Sequence, residues 1–392
     1  MKVDRRTILA GAATATGTLA LPPTAAAANP RRYASFRPGE PWLDTSGKPI
    51  QVRGGSILQV GDDYFWYGEN KERTTGKDRI WHWGIRCYRS KDLYNWDDAG
   101  IIIPPEPNDP TSPLHPFKYV DRPHILFSPE TKKFVCWIKV MEDPYQTRSV
   151  LTADRITGPY TLVRKGDRPL GMNAGDFDLV TSPDDGKAYM YFERVHSELI
   201  CADLTPDYTG LTGYYSTHMP RVGPPFTREG IAYFYRHNRH YLATSGTTGY
   251  FPNPSEVAVA GTFHGPWTTL GDLHPTDPSR TSFNSQISSV FRHPSKKDLY
   301  IALADRWFGT SLSGPQLDSG ELSRQVQSAF RKRFSRPPLP FTPEEAAAMK
   351  IAGPIDINTS MARHVWLPIR FDGERPTIAW RSEWSLADYE DG

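Results

Sequence analysis

The fold is indicated by a motif that is clearest in residues 183–192, PDDGKAYMYF, where a polar turn leads into a short aromatic strand. The same motif recurs along the chain, and its strands are marked by Tyr64, Phe134, Ala188, Tyr241 and Leu299. The intervals between these markers are 70, 54, 53 and 58 residues. Repeats of this length indicate one supersecondary unit that is used several times.

Each repeat is long enough for four short strands, because the aromatic strand is followed by another strand and by a turn that closes on an aromatic residue. Such turns lie at residues 91–96, 157–160 and 264–267. Five units of this kind predict an all-β protein with the architecture of a five-bladed β-propeller. A β-sandwich and a β-helix are the alternatives, but the repeats are too long for the coils of a β-helix. The 31 Gly and 36 Pro residues favour turns and largely exclude a helical bundle.

The fifth repeat is predicted to contain an insertion. Residues 316–334 and 343–350 have helical patterns, so we expect a partly helical insertion at about residues 309–359. Strand patterns return at residues 364–368 and 377–380, and we expect them to complete the last blade.

The first 28 residues have the pattern of an export signal. Arg5 and Arg6 precede a weakly apolar run of Ala, Gly and Thr that ends near Ala28, which predicts a twin-arginine signal peptide over residues 1–28. A Sec-type or lipoprotein signal is the alternative, although no Cys follows the run. We therefore predict a secreted or periplasmic protein whose catalytic domain, residues 29–392, has no contact with a membrane after the signal is cleaved.

The composition argues against several classes of partner and cofactor. The 46 Lys and Arg residues nearly balance the 44 Asp and Glu residues, so the net charge of +2 gives no sign of nucleic-acid binding. The three cysteines are widely spaced and form neither a disulfide framework nor a zinc motif. We predict no cofactor, no metal site and a monomer.

Polar residues stand where the innermost strand of each predicted blade begins. These places read RGG at 53–55, RPH at 122–124, DFD at 176–178, REG at 228–230 and SQ at 285–286. Because the innermost strands of a propeller surround its axis, we expect these side chains to meet in one axial pocket. Charges are costly to bury without partners, so such a cluster indicates a functional site. The alternative is that Asp176 and Glu229 only form structural ion pairs with Arg122 and Arg228.

Two carboxyl groups in one pocket suggest glycoside hydrolysis, in which a carboxylic acid protonates the departing oxygen. Aromatic side chains could stack on the faces of the sugar, although we expect most of them to pack in the core. The candidates for stacking are Trp66, Tyr67, Trp81, Trp83 and Trp307.

Several motifs, taken together, resemble glycoside hydrolase family 43, and most closely its exo-β-1,3-galactanase branch. The motifs are GGSIL at 54–58, YFWYGE at 64–69, RPH at 122–124, DFDL at 176–179, REGIA at 228–232, TSGTTG at 244–249, FNSQ at 283–286, DRW at 305–307 and WLP at 366–368. The resemblance covers nearly all of the chain that follows the predicted signal. It implies a five-bladed propeller and hydrolysis with inversion.

The resemblance also implies roles for individual residues. Glu229 matches the general acid, Asp176 matches the carboxylate that positions the acid and adjusts its pKa, and Gln286 matches a residue that holds the attacking water. Glu69 and Thr248 match positions that bind sugar. The full set expected to bind the substrate is Glu69, Arg122, Asp178, Thr248 and Trp307.

The first blade departs from the pattern of the wider family. Most members have a general-base Asp at its start, where this chain reads Val52-Arg53-Gly54-Gly55, and the galactanase branch shares this absence. The branch commonly has His where this chain has Arg53, a change that could alter a sugar subsite.

Three functions are compatible with the sequence. The leading prediction is a secreted, inverting and exo-acting glycoside hydrolase whose substrate is β-1,3-galactan or the side chains of arabinogalactan. A second keeps the fold but changes the sugar, as in an arabinofuranosidase, a galactofuranosidase or a β-xylosidase. The third is a non-catalytic propeller that binds an oligo- or polysaccharide, because no Asp base is present.

Overall fold

The structure is a computed structural model that describes residues 32–142, 144–308, 320–352 and 358–392. Its strands form five four-stranded antiparallel sheets, and in each sheet neighbouring strands follow one another along the chain. The predicted five-bladed β-propeller is confirmed. The predicted signal peptide lies outside the described residues.

The strands have the following bounds. Blades one and two consist of β1 Arg53–Val60, β2 Asp63–Glu69, β3 Ile85–Ser90, β4 Asp97–Ile103, β5 Tyr119–Phe127, β6 Phe134–Glu142, β7 Tyr145–Ala153 and β8 Thr161–Asp167. Blades three and four consist of β9 Ala174–Thr181, β10 Ala188–Arg194, β11 Glu198–Leu204, β12 Leu211–His218, β13 Arg228–Arg236, β14 Arg239–Gly246, β15 Ser255–Ala260 and β16 Thr268–Gly271. Blade five consists of β17 Gln286–Arg292, β18 Tyr300–Arg306, β19 Arg363–Asp372 and β20 Arg375–Ile378.

The first strand of each blade lies at the centre of the ring. Contacts run from β1 to β5, β9, β13 and β17 in turn, and β17 contacts β1 again, so the five strands surround one axis. Near the axial end of every blade the register of these strands shifts, as it does in a β-bulge. The shifts lie at Arg53–Ser56, Asp121–His124, Ala174–Phe177, Glu229–Ala232 and Ile287–Ser289. A bulge bends the strand and changes the direction of its side chains, so the same local irregularity occurs five times around the axis.

Apolar side chains from neighbouring blades fill the spaces between the sheets. The contact between blades five and one is rich in tryptophan, and Trp66, Trp96 and Trp366 are all buried there. The two ends of the described chain meet at this place, because Phe36 and Trp384 exchange backbone hydrogen bonds of 2.8 and 3.1 Å. The ring is therefore closed by chain segments that are far apart in sequence.

Two helices lie between β18 and β19, in the predicted insertion. They are α1 Glu321–Arg333 and α2 Pro343–Ala352, and their apolar residues pack on Phe251 and Phe308. Residues 309–319 and 353–357 of the insertion lie outside the described residues. Neither α1 nor α2, the two α-helices in the part of the chain that the structure describes, is long and apolar enough to cross a membrane.

Candidate active site

A cavity opens at the axial end of the inner strands, and every blade contributes to its wall. Eight acidic, basic or amide side chains come from the inner and second strands, and aromatic side chains form the rim. The lining residues are Glu69, Trp81, Asp121, Arg122, Lys139, Met141, Gln146, Asp176, Glu193, His196, Glu229, Gly249, Tyr250, Gln286 and Trp307.

The carboxylate of Asp176 is held by donors from two neighbouring blades. Its Oδ1 accepts a hydrogen bond of 2.6 Å from Nζ of Lys139, and its Oδ2 lies 3.1 Å from Nη2 of Arg122. Oδ2 also accepts a 3.0 Å hydrogen bond from the backbone N–H of Gly230. Burial acts to raise the pKa of Asp176, but the charges of Arg122 and Lys139 outweigh it and hold the pKa well below its usual value. Asp176 is therefore ionised at neutral pH.

Glu229 has the opposite protonation preference, although it lies in the same cavity. Its side chain is partly exposed to the cavity, and its backbone directly precedes Gly230. Burial and the negative charges of Asp176 and Glu193 raise its pKa well above the usual value of a glutamate. Two nearby carboxyl groups with pKa values displaced in opposite directions are the arrangement expected of an acid and its charged modulator.

The side chain of Gln286 is held in one orientation by three contacts. Its Oε1 accepts a 2.7 Å hydrogen bond from Nη2 of Arg122. Its Nε2 donates to Oγ of Ser245 at 2.8 Å and lies 3.4 Å from Oε1 of Glu229. An amide oxygen accepts two hydrogen bonds, so Oε1 keeps one acceptor position for a water molecule or a hydroxyl group.

Glu69 belongs to a network on the blade-one side of the cavity. Its Oε2 lies 2.8 Å from Nζ of Lys71, and its Oε1 accepts a 3.0 Å hydrogen bond from the backbone N–H of Arg122. Burial raises the pKa of Glu69 to about 7 even though Lys71 opposes the shift, and the charge of Asp121 adds to it. Asp121 in turn accepts a 2.9 Å hydrogen bond from the indole nitrogen of Trp81.

Two of the predicted substrate-binding residues do not line the cavity. Asp178 is buried, and its carboxylate accepts hydrogen bonds from the backbone N–H groups of Leu179 and Tyr233 at 2.8 and 2.7 Å. It therefore joins blades three and four, and it also lies 3.2 Å from Nδ1 of His124 in blade two. Thr248 is also buried and donates a 2.6 Å hydrogen bond to the carbonyl of Phe251. The structure does not bring these two residues to the wall of the cavity, and their role in sugar binding stays a prediction.

The two remaining arginines of the predicted cluster also point elsewhere. Arg53 is buried and donates to the carbonyls of Val52 and Ala362 at 2.8 and 2.6 Å, so it faces blade five instead of the sugar. Arg228 donates to the hydroxyl and the carbonyl of Thr244, both at 3.0 Å. Two structural ion pairs were considered from the sequence. The pair of Asp176 with Arg122 forms, whereas Arg228 is hydrogen-bonded to Thr244 and not paired with Glu229.

Sequence reasoning missed Lys139 and Glu193. Both lie on the second strand of a blade, β6 or β10, whereas the polar cluster predicted from the repeats contains only residues at the starts of first strands. Glu193 is 3% exposed, and its Oε1 accepts a 2.8 Å hydrogen bond from the backbone N–H of His196. The signal that could have found both is a charged residue that directly follows an apolar run within a strand, as in FVCWIK and AYMYFE.

The rim of the cavity is aromatic. Tyr250 lies between Trp81 and Trp307, with ring centroids 5.7 and 5.4 Å apart. Trp307 was predicted and lines the cavity, as does Trp81, whereas Trp66 and Tyr67 are buried in the core. Aromatic rings above a polar floor suit a ligand that has both apolar faces and hydroxyl groups.

Comparisons with known proteins agree with this geometry. Residues 49–312, about two thirds of the chain, match the profile of the Glycosyl hydrolases family 43. A curated relative from Escherichia coli (strain K12), which bears the name "Putative beta-xylosidase", is 26% identical over 248 residues. The match covers 58% of this chain and 41% of the relative, so the chain spans about two fifths of that protein's length.

Solved structures with the same architecture cover most of the chain. A family 43 beta-1,3-galactosidase matches with a TM-score of 0.70 and 26% identity over 91% of this chain and 64% of its own. A variant of an exo-beta-1,3-galactanase from Phanerochaete chrysosporium, solved with beta-1,3-galactotriose, matches with a TM-score of 0.69 and 22% identity. That match covers 90% of this chain and 68% of the galactanase chain.

Glu193 gives a prediction about stability and pH. Burial, together with the charge of Asp176, raises the pKa of Glu193 to about 7. A carboxyl group whose pKa is raised by folding stabilises the protein while it is protonated, and this contribution is lost as the pH rises from about 4.5 to about 7. The variant Glu193→Gln stays neutral, so relative to wild type it should become more stable at pH 8 than at pH 4.5. The free energy of unfolding of the variant minus that of wild type should increase by an amount on the order of 3 kcal/mol between pH 4.5 and pH 8.

Urea unfolding at the two pH values measures this difference. Glu130→Gln, at an exposed position, serves as the control and should show no dependence of this kind. A stability difference for Glu193→Gln that is the same at both pH values would contradict the assignment.

Proposed function

The chain belongs to glycosyl hydrolase family 43, and from this premise we propose that it is an inverting, exo-acting hydrolase that releases terminal galactose from β-1,3-galactan or from side chains of arabinogalactan. The observation that carries the proposal is the pair formed by Glu229 and Asp176. Burial and the negative charge of Asp176 keep Glu229 protonated inside the cavity. The cations Arg122 and Lys139 keep Asp176 ionised.

Glu229 is suited to act as the general acid. A protonated carboxyl group can donate its proton to the glycosidic oxygen as the bond to the anomeric carbon breaks. Asp176 cannot take this role, because Lys139, Arg122 and the Gly230 N–H occupy both of its oxygens. Its charge instead favours the protonated form of Glu229 in the free enzyme.

Gln286 is suited to orient the attacking water. Inversion requires a water molecule on the face of the sugar opposite the leaving oxygen. The Oε1 of Gln286 has one acceptor position left, and its contacts with Arg122 and Ser245 prevent the amide from turning. An amide is a poor base, so its contribution is alignment, which can still lower the barrier by several kcal/mol when the geometry is held tightly.

The choice of galactan is supported by the comparisons with solved structures. The solved structures that match over about nine tenths of this chain are named as a beta-1,3-galactosidase and an exo-beta-1,3-galactanase. The helices α1 and α2 belong to the apolar cluster on which Tyr250 and Trp307 of the cavity rim also pack. The name of the Escherichia coli relative favours β-xylosides as a second candidate.

A substrate panel tests the proposal together with the variant Glu229→Gln. Wild type should release galactose from β-1,3-galactan, and NMR should detect the α-anomer first. Glu229→Gln should lose about 10²- to 10⁴-fold in rate on galactan, but far less on a nitrophenyl β-galactoside, because nitrophenolate leaves without protonation. Glu130→Gln is the control and should match wild type.

Three outcomes would contradict this assignment. Equal losses on both substrates would remove Glu229 from the role of the acid. Release of xylose from nitrophenyl β-xyloside, with no action on galactosides, would select the second candidate. Calorimetric binding of oligosaccharide without any product would make the protein a carbohydrate-binding propeller.

Gln286 is tested by separating turnover from binding. Gln286→Ala should lower kcat by about 10²-fold, since the water loses its alignment, with little change in the affinity for galactose. Ser245→Ala removes one of the contacts that hold the amide and should cause a smaller loss of the same kind. A Gln286→Ala enzyme with weakened binding and nearly intact kcat would show that Gln286 binds a sugar hydroxyl, and Glu69 would become the next candidate.

We also propose that the chain is exported by the twin-arginine route. The proposal is supported by Arg5 and Arg6 and by the run of small residues that ends near Ala28. Expression of the full chain in a bacterium should give an exported protein whose N-terminal sequence begins near residue 29, and replacing both arginines by Lys should prevent its export. Export of the Lys variant at the wild-type level would point to a Sec-type signal.

A further inference from the structure

A small second cavity lies beside Gln286, between blades four and five. We call it the polar chamber. Gly249, Tyr250, Gln286 and Trp307 line both this chamber and the axial cavity, so the two spaces adjoin at the residue that is suited to align the water. The volume of the polar chamber is ≈ 10 Å³, which is about that of one water-sized sphere. The chamber therefore has room for a single water molecule.

The wall of the polar chamber can hold this water. Besides Gln286, it includes Ser245, Asn284, Ser285 and Asp305. A buried water molecule needs two to four polar partners, and hydroxyl, amide and carboxylate groups can all supply them. Asp305 is the acidic residue of this wall, and it is 4% exposed.

Asp305 stands directly opposite Gln286. The two residues are cross-strand partners at the end of the antiparallel pair formed by β17 and β18. The Cβ atoms of such partners are about 4.5–5.5 Å apart, a separation that one water molecule can bridge. The carboxylate of Asp305 and the amide of Gln286 therefore lie on either side of the same small space.

The carboxylate of Asp305 is oriented by blade one and by β19. Its Oδ2 accepts a 2.7 Å hydrogen bond from the backbone N–H of Gly54, and its Oδ1 lies 3.4 Å from Nδ1 of His364. Nε2 of His364 accepts a hydrogen bond from Arg53, so in the neutral ring the proton is on Nδ1 and faces Asp305. A carboxylate has about four acceptor sites, so these contacts leave Asp305 able to accept from a water molecule.

The proposed inversion produces a proton that needs an acceptor. The oxygen of the attacking water forms a bond to the anomeric carbon while the bond from that carbon to the glycosidic oxygen breaks, and Glu229 gives its proton to the leaving oxygen. The attacking water must then lose a proton of its own. The amide of Gln286 aligns this water but scarcely accepts a proton.

We propose that Asp305 accepts this proton through a water molecule in the polar chamber. The inference rests on the proposed function. The attacking water passes a proton to the chamber water, which passes one of its own protons to the carboxylate of Asp305. After the reaction Asp305 is neutral and Glu229 is ionised, so the charges balance. Asp305 then releases its proton to solvent and Glu229 takes one up before the next turnover.

The variant Asp305→Asn tests this role through the pH dependence of kcat on nitrophenyl β-galactoside, whose leaving group needs no proton from Glu229. Wild type should lose rate as the pH falls, because a base must be ionised in order to accept a proton. Asp305→Asn cannot titrate at this position, so its kcat should be about 10²-fold lower at neutral pH and the loss at acidic pH should disappear. The affinity for galactose should change less than twofold, because Asp305 does not line the axial cavity.

The other charged groups around Asp305 are distinguishable in this experiment. Burial and the charge of Arg53 lower the pKa of His364 to about 4, and burial lowers the pKa of Arg53 to about 10. The pKa of Arg122 is raised, because the charges of Asp176 and Asp305 outweigh its burial. Glu69, opposite Arg53 on β2, has a pKa of about 7, so Glu69→Gln is measured beside Asp305→Asn and should keep the loss of rate at acidic pH.

Asp44→Asn is the matched control. Asp44 is also 4% exposed, and it also accepts backbone hydrogen bonds, from Ser46 and Lys48 at 2.9 Å. It lines neither the axial cavity nor the polar chamber, so this variant should keep both the rate and the pH profile of wild type. Asp305→Glu keeps a carboxyl group and should recover at least part of the rate and the loss at acidic pH.

Wild type provides a second measurement that does not depend on the folding of a variant. In mixtures of H₂O and D₂O, kcat on nitrophenyl β-galactoside should depend nonlinearly on the fraction of deuterium, because two protons move in the relay. A linear dependence, as one moving proton produces, would overturn the relay.

The outcomes separate this proposal from the proposed function. If wild type hydrolyses nitrophenyl β-galactoside and Asp305→Asn keeps either the wild-type loss at acidic pH or a kcat within threefold of wild type, the role of Asp305 alone is overturned. Wild type without action on any β-galactoside overturns the proposed function itself.

Discussion

The guanidinium of Arg122 is the point through which the blades are joined at the axis. Its Nη2 contacts Asp176 of blade three and Gln286 of blade five, and its Nη1 donates to the carbonyl of Ile287. The backbone N–H of the same residue donates to Glu69 of blade one, and Asp176 reaches blade four through the N–H of Gly230. A buried cation must have several partners to offset its desolvation, and here the partners come from the other blades. The arrangement of the site and the closure of the ring therefore depend on the same contacts.

This geometry requires backbone conformations that a regular strand does not provide. Arg122 has a φ of +51° and Gly230 a φ of +58°, both in the left-handed region, and both lie where the register of an inner strand shifts. The bulges aim consecutive polar groups at one small space instead of at alternate faces of the sheet. The left-handed conformation is strained at Arg122, which has a Cβ atom, and it persists because the surrounding contacts hold it, as the bond from its N–H to Glu69 does here.

The two carboxyl groups of the site differ in protonation state because their surroundings differ. Asp176 has two cations and a backbone donor, so it is ionised, while Glu229 has mainly burial and neighbouring negative charge, so it is protonated. Arg122 and Lys139 both hold the pKa of Asp176 low, and Lys139 lies 2.6 Å from its carboxylate, which raises the pKa of Lys139 against the effect of burial. A chemical difference between two similar side chains thus results from which strands approach them.

The sequence alone determined the propeller, the number of blades and the insertion, because turns and alternating aromatic strands are local features that repeat at a readable interval. It also placed Glu229, Asp176, Gln286 and Arg122, since the starts of inner strands must meet at an axis, whereas Glu69 followed from the family resemblance and Trp307 from its aromatic side chain. Only the tertiary structure decided that Asp178, two residues after Asp176, is buried between His124 and Tyr233, and that Arg53 faces blade five. It also decided that Lys139 and Glu193 reach the cavity from second strands. The physical reason is that bulges and packing between blades set the direction of each side chain, and residues more than 30 positions apart in sequence carry those constraints.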